Sequence, residues 1–201
     1  MAEFEIRTMC AEDRWEVAEM IYTAFNHWYL THGQPAIFQG GPAATDIFYE
    51  VYETLDPGCG IVAENRNTSR LMGSCFYHPR PHHVSLGIMN VHPNHFGTGA
   101  GKALLEHIIA IARGRKQPLR LTQSALNLDS FSLYNKAGFV PRHAYQDMFV
   151  QVPESGMNLE APGLECVRDG KLDDVESMVA VEMHVSQINR EKDFRYFLEN
   201  R

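Results

Sequence analysis

Apolar and polar positions along this chain recur with two periods, about two and about 3.6 residues, in a definite order. Residues 4 to 9, FEIRTM, read as a first strand, and residues 11 to 30 as a helix with Trp15, Ala18, Ile21, Tyr22 and Phe25 on one face. Gly and Pro break the pattern from 31 to 42. A second helix over 45 to 55 turns Ile47, Phe48, Val51, Tyr52 and Leu55 inward and stops at Asp56-Pro57-Gly58. GIVAEN and RLMGSCFYH then flank Arg66-Asn67-Thr68-Ser69 as a hairpin. HVSLGIMNV is a further strand, and Ala103, Leu104, Leu105, Ile108, Ile109, Ile111 and Ala112 give a long amphipathic helix. PLRLTQSA is the next strand, 130 to 137 a short helix stopped by Gly138, and Phe139-Val140 and DMFVQV the last strands. This order, βααβββαβαβ, predicts a domain of class α/β (α+β) over residues 1–153.

The turn between the third hairpin-region strand and the long helix carries the most chemistry. It reads VHPNHFGTGAGK, with Gly97, Gly99 and Gly101 at alternate positions. Glycines there let the backbone approach a ligand without Cβ obstruction. A helix beginning near Gly99 would face the loop with unsatisfied N–H groups and its positive dipole end, which suits an anion such as a phosphate. Spacing separates the loop families. An ATP-binding P-loop needs Gly five residues before the Gly-Lys pair and Ser or Thr after it, where this chain has Phe96 and Ala103. A dinucleotide fingerprint needs a third Gly at Lys102.

The pattern is instead similar to the acetyl-CoA pyrophosphate loop of the GNAT superfamily of N-acyltransferases: a strand, V-x-P, [Q/R]-x-x-G-x-[G/A], and a helix. Val91-His92-Pro93 and Gly99/Gly101 stand in register, and LNLDSFSLYNKAGFV (126 to 140) resembles the family's second signature. One departure is Phe96 at the Gln/Arg place. The resemblance implies the GNAT fold, a mixed, largely antiparallel sheet with helices on both faces, and transfer of acetyl from acetyl-CoA to a primary amine by direct attack in a ternary complex. It also leaves a second reading, a catalytically weak CoA-binding module of regulatory or structural kind.

Carried over residue by residue, the resemblance puts the pyrophosphate on Gly97, Thr98, Gly99, Ala100, Gly101 and Lys102. It puts the pantetheine and thioester along the backbone of Met89, Asn90 and Val91, with Asn127 bridging the arm and Tyr134 protonating the departing thiolate. The strand before the loop, 84 to 91, holds no Asp, Glu or His, so the general base is open: His83 is nearest, with a side chain whose ordinary pKa suits neutral pH, and Asp46, Glu50 and Glu53 are alternatives. Trp28, Tyr29 and Phe38 could line an acceptor pocket or pack over a cationic amine.

Composition narrows the picture. The chain has 201 residues, 44% hydrophobic and 21% charged, ordinary globular usage. A net charge of −7 and the lack of a basic stripe argue against nucleic acid and suit, if anything, a cationic substrate, a small-molecule or peptide amine. No signal-like start or membrane-length apolar run is visible, which predicts a cytoplasmic protein; a homodimer stays open. Cys10, Cys59, Cys75 and Cys166 lack C-x-x-C spacing, and His78, His82 and His83 sit in a Pro-rich stretch, so no metal is expected.

Residues 154–163 read as a linker. After it, LECVRDGKLDDVESMVAVE repeats the opening FEIRTMCAEDRWEVAEMI: strand, Arg168 for Arg7, an acidic pair, then an amphipathic helix over 172 to 185. Residues 164–201 are therefore expected to be a small strand-helix extension, either a truncated second GNAT repeat or an unrelated segment that packs on the sheet or on a partner.

Overall fold

The structure, a computed structural model, describes residues 3–146, 148, 150–157 and 161–200. Its element order is β1 (Phe4–Thr8), α1 (Arg14–Thr31), α2 (Asp46–Leu55), β2 (Gly60–Asn65), β3 (Leu71–Pro79), β4 (Val84–Val91), α3 (Ala100–Gly114), β5 (Leu119–Arg120), α4 (Leu128–Lys136), α5 (Val175–Ser186) and α6 (Glu191–Glu199). The five strands form one sheet in sequence order, β1 to β4 antiparallel and β4 to β5 parallel. Strand alternation sends side chains to both faces. Cys75, Leu86, Met72 and Ile61 meet Leu104, Leu105 and Ile108 of α3 on one face. Val62, Leu71 and Phe76 meet Val17, Met20, Ile21 and Tyr49 of α1 and α2 on the other.

Several expectations are corrected. Trp15 is 61% exposed and Ile47 57% exposed. The apolar face of α1 is instead Val17, Ala18, Met20, Ile21 and Ala24, and Tyr49 rather than Ile47 turns inward from α2. The first turn, Ala11–Asp13, is 3₁₀, fixed by Asp13, which accepts from Arg7 Nη1 at 2.7 Å and Nη2 at 2.8 Å and from the Cys10 N–H at 2.8 Å. The strand expected over 118 to 125 is only Leu119–Arg120, because it pairs with β4 for two residues and then leaves it. Phe139 and Val140 form no strand: Phe139 packs on Tyr134 and Val140 is 64% exposed. Of the expected last strand, Asp147 and Phe149 lie outside the described residues, and Met148, Val150 and Val152 are exposed with no strand partner.

The tail keeps part of its expected pattern. No strand forms at 164–169; a 3₁₀ turn covers Leu164–Cys166, and no strand edge pairs with the following residues. Arg168 nevertheless grips Asp174 at 2.7 and 2.6 Å, and Asp174 accepts from the Lys171 N–H at 2.8 Å, the same clasp at the same spacing as Arg7 and Asp13. A 3₁₀ turn and a helix follow in both places. α6 docks on the end of α2 and β3, where Arg80 meets Asp193 at 2.7 Å and Lys192 meets Asp56 at 2.9 Å.

Phe76 is 1% exposed at the centre of the α1/α2 face. Truncating it leaves a cavity that close-packed neighbours fill only in part. Phe76→Ala should lose about 3–5 kcal/mol in urea unfolding, whereas Trp15→Ala should stay within about 0.5 kcal/mol. Equal losses would mean the faces of α1 are misassigned.

Candidate active site

β4 and β5 are paired only at Val84 with Leu119 and Ser85 with Arg120. Beyond that apex they diverge, and the β5-facing edge of β4 is left without a strand partner. The His92 N–H donates to the Met72 carbonyl on β3 at 2.9 Å. Strand alternation therefore turns the peptide groups of Asn90 to β3 and those of Met89 and Val91 to the open edge. Met89 pairs with Cys75 and Leu86 with Tyr77, so Gly87 and Ile88 together face Phe76: β4 bulges just past the apex.

At the wide end, Gly97 (φ 77°) and Gly99 (φ 90°) curl the chain so that Gly99 caps α3. The Ala103 N–H bonds back to the Gly99 carbonyl at 3.0 Å, while the N–H groups of Gly97, Gly99, Ala100, Gly101 and Lys102 have no acceptor among the described residues. This is a nest of donors on a helix N-terminus, suited to an anion. A Cβ on Gly101 would stand 3.2 Å from Val91, so the glycine lets α3 sit close to β4. Thr98 turns its hydroxyl to the His95 carbonyl at 2.7 Å, Lys102 is exposed beside Glu106, and Phe96 lies against the His27 ring.

Asn127 caps α4, its Oδ1 accepting from the Ser130 N–H at 3.1 Å, which leaves its amide nitrogen free of partners. Two turns on, Tyr134 is 8% exposed against the α3-side core. Burial, with a smaller push from Cys75, raises its phenol to about 12, so it stays protonated at neutral pH.

His83 is 2% exposed, its Nε2 3.1 Å from Ser85 and its Nδ1 sealed without a partner; burial, and then Arg120, push its pKa down. Asp46 is held by Arg14 at 2.7 Å, Glu50 also faces Arg14, and Glu53 accepts from the Gly58 N–H. Phe38 is gripped on both backbone sides by Asn26 and packs between Phe25 and Phe48, whereas Trp28 stacks on His32 at 4.3 Å and meets Tyr29 edge-on at 5.2 Å; Trp28 and Tyr29 thus pair with each other and Phe38 with other rings. His78, the last residue of the expected strand RLMGSCFYH, stands one residue before the end of β3 and bonds Asp56 at 2.7 Å. That pair was missed because its partners lie on different elements. Asp56 as a helix stop gave no sign of the contact.

A model of the acetyltransferase (GNAT) family matches residues 6–139, most of the chain. The chain belongs to the GNAT acetyltransferase family. Solved structures share its fold at low identity. A crystal structure from Pyrococcus horikoshii has a TM-score of 0.58 at 18% identity, over 71% of this chain and 45% of that one, so this chain spans under half its length. The Escherichia coli ribosomal-protein-S18-alanine N-acetyltransferase gives 0.56 at 17%, over 76% and 86%. A Brucella melitensis GNAT acetyltransferase in complex with acetyl-CoA gives 0.53 at 18%, over 70% and 85%. No curated protein matches in sequence. Among the described residues no helix is long and apolar enough to cross a membrane.

The charges around Asp56 make this GNAT domain acid-sensitive. Burial alone would raise the Asp56 pKa, but His78, Lys192 and Arg80 hold it well below the usual carboxylate range. A folded value below the unfolded one near 3.9 means this stabilisation is complete above about pH 5 and is lost as pH falls through the folded value. Urea midpoints should therefore drop below about pH 4. Asp56→Asn should cost about 3–5 kcal/mol at pH 7 and flatten that drop. An unchanged acid slope in the variant would assign it to other carboxylates.

Proposed function

We propose that this chain is an acyl-CoA-dependent N-acyltransferase that moves acetyl from acetyl-CoA to a primary amine by direct attack in a ternary complex. The observation that carries this reading is the set of N–H groups of Gly97, Gly99, Ala100, Gly101 and Lys102, unpartnered among the described residues, at the wide end of the gap between β4 and β5. Those donors fit a pyrophosphate through the backbone, which is why Phe96 at the usual polar position does not remove the site. The open edge at Met89 and Val91 would hold the pantetheine arm by strand-like hydrogen bonds, and an N–H there would stabilise the tetrahedral oxyanion, worth a few kcal/mol in a preorganised setting. The free amide of Asn127 is placed to steady the arm.

Tyr134 supplies the proton-bearing group on the thioester side. Outright transfer from a phenol near 12 to a thiolate near 8.5 would cost about 5 kcal/mol. The efficient course is therefore a relay, in which the phenol gives its proton to the leaving sulfur as it takes one from the attacking nitrogen.

We also infer that residues 1–153 are the GNAT unit, 154–163 a linker, and 164–200 the opening of a second unit built to the same plan. The repeated arginine clasp supports this, as does α5: Met178, Val181 and Val185 line an open groove of about 770 Å³ at the positions where Val17, Met20 and Ala24 of α1 lie buried on the sheet.

Two measurements test the reading. Gly99→Val must force a β-branched residue to φ near 90°, so acetyl-CoA, which raises the melting temperature of the wild type in proportion to ln(1 + [L]/Kd), should give little or no shift in the variant. A normal shift would move the pyrophosphate elsewhere. Tyr134→Phe should lower turnover by about 10²-fold on a panel of primary amines, read by thiol release, with acetyl-CoA affinity nearly unchanged. Binding without turnover in the wild type would favour a CoA-binding regulatory module.

A further inference from the structure

His78 occupies an unusual position. It stands one residue before the end of β3, in register with Ser85, the last residue of β4 still paired to β5, so its ring lies beside the apex of the gap. Its Nδ1 is 2.7 Å from Asp56 Oδ2. Its Nε2 makes no hydrogen bond, and points at the bulge: a Cβ on Gly87 would stand 2.8 Å from it. Glycine at 87 is what allows an imidazole to lie there. The unpartnered polar side-chain atoms sealed from solvent are His83 Nδ1, Asn90 Nδ2 and Glu182 Oε2 among the described residues, so Nε2 of His78 retains access. His83, by contrast, has a sealed nitrogen and a weak pull on protons.

Charged groups from three elements surround this imidazole. Asp56 faces it from the end of α2, Arg80 holds Asp56 from the end of β3, and Lys192 and Asp193 of α6 pair with Asp56 and Arg80. Two carboxylates and two cations balance, and Tyr52 closes the ring's other side at 4.6 Å. The Asp56 carboxylate fixes the proton of neutral His78 on Nδ1, which leaves Nε2 with its lone pair toward the gap. Leading to this point along the α1/α2 face is a row of half-buried rings, Phe38, Phe48 and Tyr52, in successive contact.

We propose that His78, oriented by Asp56, is the base that takes the acceptor's ammonium proton, and that the acceptor is a cationic primary amine passing along the Phe38, Phe48 and Tyr52 wall. This rests on the acetyltransferase reading above. Nε2 accepts one proton from R–NH3⁺. The neutral amine attacks the thioester carbon, forming C–N and the tetrahedral oxyanion; C–S breaks as that oxyanion collapses, and the nitrogen's second proton reaches the thiolate through Tyr134. His78 then returns its proton to water. The aromatic faces attract the cation before it is deprotonated.

Bromoacetyl-CoA tests this without knowledge of the acceptor. Nε2 displaces bromide from the bromomethyl carbon, adding one carboxymethyl thioester group to the protein. Peptide mass mapping should place that group on His78, and His78→Gln should escape it while binding acetyl-CoA as before. With benzylamine as acceptor, thiol release by His78→Gln should fall about 10²-fold, with the acidic limb of its pH profile gone. Bromoacetyl-CoA that competes with acetyl-CoA yet leaves His78 unmodified overturns the proposal, as does a His78→Gln variant with the wild-type rate and pH profile. Failure of the wild type to bind either thioester would instead refute the acetyltransferase reading itself.

Discussion

β4 and β5 share two rungs of hydrogen bonding and then part, and the rest of the site depends on that separation. A parallel pair held only at Val84 and Ser85 leaves the remainder of β4 with one satisfied edge and one open edge. The open peptide groups need partners from water or from a ligand, because unsatisfied backbone groups are costly once buried. The bulge at Gly87 and Ile88 sits where the parting begins, and α3 starts where it is widest. One irregularity thus sets an open strand edge, a donor nest and an apex on a common line.

The parts of this arrangement carried by local sequence were legible. Three alternate glycines before a helical stripe have few structural uses, and the loop, α3 and the short helix around Tyr134 follow from them and from spacing. The parts set by pairing were not. PLRLTQSA has the composition of a strand, but a strand exists only where an edge accepts it, and past Arg120 no edge does. Trp15 and Ile47 fit a helical stripe by period alone, yet neighbouring Val17 and Tyr49 are the residues the sheet covers. A shift of one or two positions on an amphipathic helix is decided by what packs on it.

The same limit applies to the two histidines beside β4. His83 adjoins β4 in sequence, while His78 reaches β4 across the hairpin, from β3 over Gly87. Only the fold decides which ring keeps an accessible nitrogen. His83 lost that through burial beside Arg120 and Arg80, which disfavour its charged form. His78 gained a carboxylate on one nitrogen and an open side on the other.

The tail joins these arguments at Arg80. That guanidinium is buried with only 5% of its side chain exposed, and Asp56 alone would leave half its donors unmet. Asp193 of α6 completes it in bidentate fashion at 2.8 and 2.7 Å, and Lys192 adds a second cation to Asp56. Buried charges are tolerable only when each has its partners, and removing one partner costs more than the pair contributes. The contact of α6 is therefore more than surface packing: it fixes the charge on Asp56 and, through Asp56, the tautomer of His78. A segment whose opening turn has the same arginine clasp as the first turn of the chain, and whose own apolar face stays open, is anchored through the electrostatics of the apex.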